Sequence, residues 1–288
     1  MKTLREVLEE AERRKVGVGH FNVSDLTTLK AVFDAARELK APVVVGVSEG
    51  ERDFMGVRQV AALVDSIRQE YDFPIFLDAD HTHSLAKAEE AANAGFDSIV
   101  FDRSELPFAE NVSETRAAVE AIRKINPSIL VEGEIGFIGS GSEIHEKVPE
   151  ASKILTTPED ARRFIEATGV DVLAPAVGTM HGVLPSMIRG ETQKRLNIER
   201  IQEIKKATNI FMTLHGGSGT NDEDFRRAIK AGITIIHINT ELRLAWRRGI
   251  ETALAKQPSE ITPYKLLPAA LESMKDVVRA RLKLFYPT

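Results

Sequence analysis

The sequence predicts an α/β protein whose eight parallel strands close into a (β/α)8, or TIM, barrel. Three observations carry that expectation. Short, nearly continuously apolar runs recur from end to end, as strands buried on both faces require. Between them lie segments with apolar residues three and four apart, the spacing of an amphipathic helix. The strand-then-helix unit can be counted eight times, the number that closes a barrel. An open doubly wound sheet is the competing architecture, but no GxGxxG follows the first strand and nothing marks a reversal of strand order.

The elements follow in order. Residues 1–14 are expected to form a charged amphipathic helix capping the bottom of the barrel, without the apolar core of a signal peptide. Strands are expected at Gly17–Val23, Pro42–Val47, Pro74–Asp78, Ser98–Phe101, Ile129–Gly133, Val172–Val177, Ile210–Leu214 and Ile233–Ile238. The helix Leu26–Leu39 sets Leu29, Val32, Phe33 and Ala36 on one face. A second, Asn111–Ile125, would be entered through Asn111 or Ser113 as N-cap. Thr157-Pro158-Glu159-Asp160 reads as an N-cap, a proline in the first turn, and acids facing the helix dipole. Residues 263–285 add a helical segment after the eighth unit, so residues 1–288 are expected to make a single barrel domain. The connection from Ile135 to Thr156 is long and glycine-rich. Inside a compact domain that marks a lid or binding loop, the alternative being a surface insert.

Composition excludes several functions. There is no cysteine, hence no disulfide framework, thiolate metal site or cysteine nucleophile. A net charge of −5 gives nucleic-acid binding no support. The longest uncharged stretch, Val172 to Ile188, holds two prolines, a histidine and two glycines and is no membrane span. The expectation is a cytoplasmic enzyme with neither nucleic acid nor membrane as partner.

In a barrel the active face is the C-terminal end of the strands. The residues there are Asn22, Ser48, Asp80, His81, Asp102, Glu132, Glu134, His181, His215, His237 and Asn239. Four of the seven histidines, His81, His181, His215 and His237, thus follow different strands at one end. A metal is the economical explanation, and three imidazoles with one open position suit catalytic zinc. Oxygen-only ions such as Mg²⁺ would not select imidazole, whereas any single histidine could be a hydrogen-bonded core residue. His83 is either a neighbour of the metal ligands or a helix-entry residue. His20 is expected to pack beneath the first strand, and His145 to be solvated. After His215, Gly216-Gly217-Ser218-Gly219 leads into Thr220–Glu223, which has capping-box spacing and opens a helix. Such a turn lets backbone N–H groups approach a phosphate, the alternative being a tight turn with no ligand. No predicted strand carries a lysine, so a Schiff base has no candidate. Carbon–carbon bond chemistry beside a ketone would need a metal as electron sink.

The blocks PIFLDADHTHS, GFDSIVFDRSELPFAENVSETR, VEGEIGFIGSGSE, LTTPEDARRFIEATGVDVLAPAVGTMHG and LHGGSG, in this order, resemble the class II, zinc-dependent fructose-bisphosphate aldolase family, which includes tagatose-bisphosphate aldolases. The resemblance runs from about Gly19 to Ala245. It implies His81, His181 and His215 as Zn²⁺ ligands, Asp80 as the acid/base on the aldehyde oxygen, and Glu143 as the carboxylate moving a proton at the donor carbon. Asp102 and Glu134 (or Glu132) fall where the family orients ligands or binds a second mono- or divalent cation. Asn22, Ser48, Gly182, Gly216, Gly217, Ser218, His237, Asn239 and Thr240 fall in the substrate and phosphate region. Arg281 resembles an arginine extended towards a phosphate, often from a neighbouring subunit. A homodimer or homotetramer is implied.

The implied reaction is reversible cleavage of a ketose 1,6-bisphosphate, fructose 1,6-bisphosphate first, to dihydroxyacetone phosphate and glyceraldehyde 3-phosphate. The alternatives are tagatose 1,6-bisphosphate, another phosphorylated keto-sugar or a related epimerase reaction, or a non-catalytic aldolase-like subunit. Three departures bear on the pocket: His237 stands where relatives carry an asparagine, Thr82 follows Asp80-His81 in place of glycine, and Gly46 replaces a glutamine.

Overall fold

The computed structural model describes residues 2–139, 141–147 and 154–287. Its centre is a closed barrel of eight parallel strands: β1 (Val18–Asn22), β2 (Val43–Gly46), β3 (Ile75–Thr82), β4 (Ser98–Phe101), β5 (Leu130–Ile135), β6 (Val172–Pro175), β7 (Phe211–Leu214) and β8 (Ile233–Ile238). Each strand pairs with the next in chain order. β8 returns to β1 with His20 opposite His237, which excludes the open sheet. The strands are almost entirely buried, consistent with their unbroken apolar runs.

Helix α1 (Leu4–Arg14) is capped by Thr3 and buries Leu4, Val7, Leu8 and Ala11. It lies across the N-terminal ends of the strands: Arg5 pairs with Asp171 before β6, Lys205 with Glu12, and Thr234 at the start of β8 donates to Glu12. Around the barrel run α2 (Leu26–Leu39), α3 (Glu49–Met55), α4 (Val57–Tyr71), α5 (Leu85–Asn93), α6 (Phe108–Ile125), α7 (Pro158–Thr168), α8 (Pro185–Ile188), α9 (Ile198–Thr208), α10 (Asp222–Ala231), α11 (Thr240–Lys256) and α12 (Pro263–Phe285). Helix α12 packs beside α2 and α11 and buries Met274, Val278, Leu282 and Phe285. Among the described residues no helix is long and apolar enough to cross a membrane.

The structure moves several boundaries, and three have a visible cause. Strand β3 continues past Asp78 to Thr82, carrying Asp80 and His81 within it. These polar residues read as loop in the sequence. In the fold, buried Arg52 of α3 donates to the carbonyls of Val47 (2.6 Å) and Asp80 (3.3 Å) and to Thr82 Oγ1 (3.0 Å). Helix α6 starts at Phe108 rather than behind Asn111 or Ser113, because buried Asn111 is a tertiary anchor, donating to the Glu134 carbonyl at 3.0 Å. Helix α10 is capped by Asn221, not Thr220; Asn221 Oδ1 accepts from the Glu223 and Asp224 N–H groups. Ser140 and residues 148–153 of the long β5–α7 connection lie outside the described residues. Its described part is pinned where Ile144 bridges Val183.

Candidate metal centre and active site

Three strand ends bring His81, His181 and His215 together. His81 Nε2 lies 3.1 Å from His181 Nε2 and 3.2 Å from His215 Nδ1. Ligands about 2.0–2.1 Å from an ion at tetrahedral angles stand roughly 3.3 Å apart, so these nitrogens sit on the edges of such a shell. The outward nitrogen of each ring is engaged: His81 Nδ1 by Asp102 Oδ2 (2.8 Å), His181 Nδ1 by the Gly139 carbonyl (2.6 Å), and His215 Nε2 by Glu132 Oε1 (2.7 Å). An outward N–H donated to a carboxylate or carbonyl leaves the inward nitrogen its lone pair, which is how proteins prepare histidine for a metal. The donor set fits an ion.

The backbone helps to aim it. Register slips between Ala79 and Thr82, and His81 adopts φ +42°, a left-handed conformation costing on the order of 1–3 kcal/mol in a non-glycine residue. Burial, then the neighbouring His81 and His215, pulls the His181 pKa well down, and burial brings His215 to about 3. Both are held neutral, the form that ligates. Burial, reinforced by Asp78, pushes Glu132 up to about 8. Glu134 is also raised, by burial and then by Asp102, and its oxygens find no hydrogen-bond partner among the described residues. Its Oε2 lies 4.0 Å from His215 Nδ1, facing the same centre. Asp102, by contrast, is occupied by His81 and Ser104. His83 lines the mouth, its Nδ1 3.1 Å from the Asp102 carbonyl.

Asp80 sits beside this centre, its Oδ1 3.8 Å from His81 Nε2. Asn22 is not free to bind phosphate: its amide donates to Asp80 Oδ2 (2.8 Å) and Glu51 Oε2 (3.0 Å), so it orients Asp80. Ser48 is likewise tied to Glu51. Beneath Asp80, the rings of His20 and His237 stack at 3.4 Å, with His237 Nδ1 3.4 Å from Asp80 Oδ1 and His20 Nε2 3.0 Å from Asp78 Oδ2. Two departures seen in the sequence meet here. A Cβ on Gly46 would lie 2.1 Å from His20 Cε1, so the missing side chain makes room for the ring. His20 is thus part of the polar barrel interior rather than packed beneath the strand.

A cavity of about 360 Å³ opens over the histidines, lined by Asn22, Ser48, Asp80, Gly182, Gly216, Gly217, Ser218, His237, Asn239 and Thr240 among others. Along one wall the backbone N–H groups of Gly216, Ser218 and Thr240 meet no acceptor among the described residues, and Thr240 begins α11. Unsatisfied donors at a helix N-terminus suit an anion chemically. Gly216 requires glycine: φ is +63° and a Cβ would lie 2.4 Å from the Met180 carbonyl oxygen.

Two expected residues are not brought in. Arg281 donates to both carboxylate oxygens of Glu241 and to Asp222 and lines a neighbouring pocket, because α12 carries it to the outer side of α10 and α11. Glu143 is exposed at the rim; its carbonyl accepts from Val183 N–H, and its side chain is not among the cavity lining. His145 is half-buried against Gly182 rather than solvated. Conversely, Arg243 is the one lysine or arginine among the described residues lining the cavity, tethered to Glu51 at 3.0 Å. In the sequence the run Arg243 to Arg248, with Trp246, reads as a helix face that could line a subunit contact, not as part of the site. Buried Lys194 was equally unmarked, because nothing local distinguishes it.

A closed parallel barrel bearing three converging histidines and a row of unpaired backbone N–H groups at its mouth has the architecture of a metal-dependent (β/α)8 enzyme. The family model described as "Fructose-bisphosphate aldolase class-II" matches residues 2–287. The chain is 35% identical to a fructose-bisphosphate aldolase of Thermus caldophilus, covering 97% of this chain and 96% of the relative. It is also 35% identical to a probable fructose-bisphosphate aldolase of Bacillus subtilis (strain 168), covering 98% and 96%. Among solved structures, the YdjI aldolase of Escherichia coli K12 superposes with TM-score 0.82 at 28% identity, covering 98% of this chain and 96% of that one. A putative fructose-1,6-bisphosphate aldolase from Coccidioides immitis, 24% identical and covering 98% and 95%, shares the fold with TM-score 0.83. The chain belongs to the class II fructose-bisphosphate aldolase family: it is a metal-dependent aldolase, a lyase.

Proposed function

We propose that the protein is a zinc-dependent aldolase that reversibly cleaves a ketose 1,6-bisphosphate, fructose 1,6-bisphosphate first, to dihydroxyacetone phosphate and glyceraldehyde 3-phosphate. The observation that carries this is the histidine triad with its three outward hydrogen bonds, set beside Asp80 under the cavity. His81, His181 and His215 would hold the ion, and Glu134 is the carboxylate for a second cation or a further ligand. When bound, the ion supplies Lewis acidity towards the ketone oxygen, where negative charge develops.

The chain's own residues do the rest. The N–H groups of Gly216, Ser218 and Thr240, with Gly182 and Gly217 beside them, cradle one phosphate. Arg243 supplies the positive charge across the cavity for the other. In cleavage Asp80, oriented by Asn22, accepts the C4 hydroxyl proton as the C3–C4 bond breaks and the aldehyde leaves. Glu143 returns a proton to the donor carbon, which requires residues 141–147 to fold inward from the rim. Assembly as a homodimer or homotetramer belongs to the same reading, with exposed Phe54, Ile261 and Tyr264 as surface to cover.

The His20–Gly46–His237 stack favours a second reading, in which the same centre acts on tagatose 1,6-bisphosphate or another phosphorylated keto-sugar. Cleavage rates on fructose and tagatose 1,6-bisphosphate, measured side by side, separate the two. Activity on either should vanish with a chelator and return with Zn²⁺. Undiminished cleavage after exhaustive chelation would overturn the proposal.

A further inference from the structure

Lys194, in the connection between α8 and α9, has a buried ammonium group that no step above uses. Its Nζ donates to the carbonyls of Met180 (2.6 Å), Gly182 (2.6 Å) and Gly216 (2.9 Å). Met180 and Gly182 flank His181, and Gly216 follows His215, so one nitrogen ties together the loops of two histidines. Among the described residues no carboxylate pairs with it; Glu241 acts only from a distance. Burial pulls its pKa down to about 7, yet three acceptors around one nitrogen need three N–H donors, which only the ammonium form has.

Buried lysines are ordinarily paired with an acid, because an isolated charge out of water is costly. Here the compensation comes from main-chain carbonyl dipoles alone. Carbonyl oxygens replacing a hydration shell are what proteins offer an alkali cation, and ammonium and potassium ions are close in size. Without a positive charge the three dipoles would point their negative ends at one another and push the loops apart. Lys194 is itself held by its backbone: its N–H donates to Gly219 (2.8 Å), and its carbonyl accepts from Asn221 N–H (3.3 Å).

We propose that Lys194 is a tethered cation: its ammonium occupies a carbonyl cage that would otherwise call for a free monovalent ion, and so fixes the His181 and His215 loops for metal binding. This is a positioning role. It rests on the proposed function only through the assignment of those two histidines to the metal.

The test compares wild type with Lys194→Ala, which vacates the cage, and Lys194→Met, which keeps the stem without the charge. Melting temperature, Zn²⁺ affinity by chelator competition, and sugar bisphosphate cleavage are measured in choline, sodium, potassium and ammonium chloride at equal ionic strength. Wild type should be indifferent to the cation. Lys194→Ala should melt lower and bind Zn²⁺ about 10- to 100-fold more weakly in choline, with saturable recovery in potassium or ammonium. Lys194→Met should show the same loss without recovery.

A wild type that needs potassium, a Lys194→Ala protein indifferent to cation, or a Lys194→Met protein with wild-type Zn²⁺ affinity would each overturn the proposal. Should Lys194→Ala fail to fold, the wild-type and Lys194→Met measurements decide. Melting and Zn²⁺ competition need no substrate. A wild type that cleaves no sugar bisphosphate would therefore sink the proposed activity while leaving the cation question answered.

Discussion

Adding a single methyl group at Gly46 should unsettle the stack beneath Asp80. The new Cβ would lie 2.1 Å from Cε1 and 2.4 Å from Nε2 of His20, far inside contact distance. The ring has nowhere to go. One face lies on His237 at 3.4 Å with planes 5° apart, and Nε2 is held 3.0 Å from Asp78 Oδ2. Overpacking of this kind costs about 1–3 kcal/mol. Losing a hydrogen bond to a buried carboxylate adds about 1–3 kcal/mol. A total near 3 kcal/mol lowers Tm by roughly 6–12 °C in a protein of this size class. In a His20→Ala background the ring is gone, and Gly46→Ala should cost less than about 1 kcal/mol, a coupling of about 2 kcal/mol. Scanning calorimetry of wild type, both single variants and the double variant measures it. A Gly46→Ala protein melting with wild type, or an equal penalty in both backgrounds, would refute the steric account.

Other outcomes concern the centre itself. His181→Ala should lose metal and turnover together, whereas Asp80→Ala should retain Zn²⁺ by metal analysis and lose cleavage; loss of metal in both would remove Asp80 from the acid/base role. Glu132→Ala removes the acceptor for His215 Nε2 and should reduce Zn²⁺ affinity about 10- to 100-fold in chelator competition, with the fold intact by circular dichroism. Asp224 has its pKa lowered by its hydrogen bond from Arg195, so it stabilises the fold above the ordinary aspartate pKa, and that contribution fades as pH falls through the lowered value. The stability deficit of Asp224→Asn in urea titrations should accordingly be full near neutrality and shrink at acid pH; a deficit constant with pH would contradict it.

Legibility in the sequence followed the range of the physics. Burial on both faces writes itself into Val43–Gly46 or Ile233–Ile238 as a run of apolar residues. Helices such as Leu26–Leu39 show their stripe at the helical period. Repeating that unit eight times leaves little choice of architecture, and strand ends are identifiable once strands are, so His81, His181 and His215 could be placed on one rim.

What the sequence alone determined, then, was the barrel, the rim at the C-terminal ends of its strands, and the histidines and Asp80 that the rim carries. Only the tertiary structure decided who touches whom. It sent Arg281 to Glu241 and Asp222, brought Arg243 into the cavity, explained Gly46 by the ring of His20, and wrapped three distant carbonyls around Lys194. The reason is physical. Secondary structure follows from forces that repeat every two or three to four residues and leave a pattern, while a contact between side chains from separate loops depends on where the closed barrel carries each backbone, and no local period encodes it.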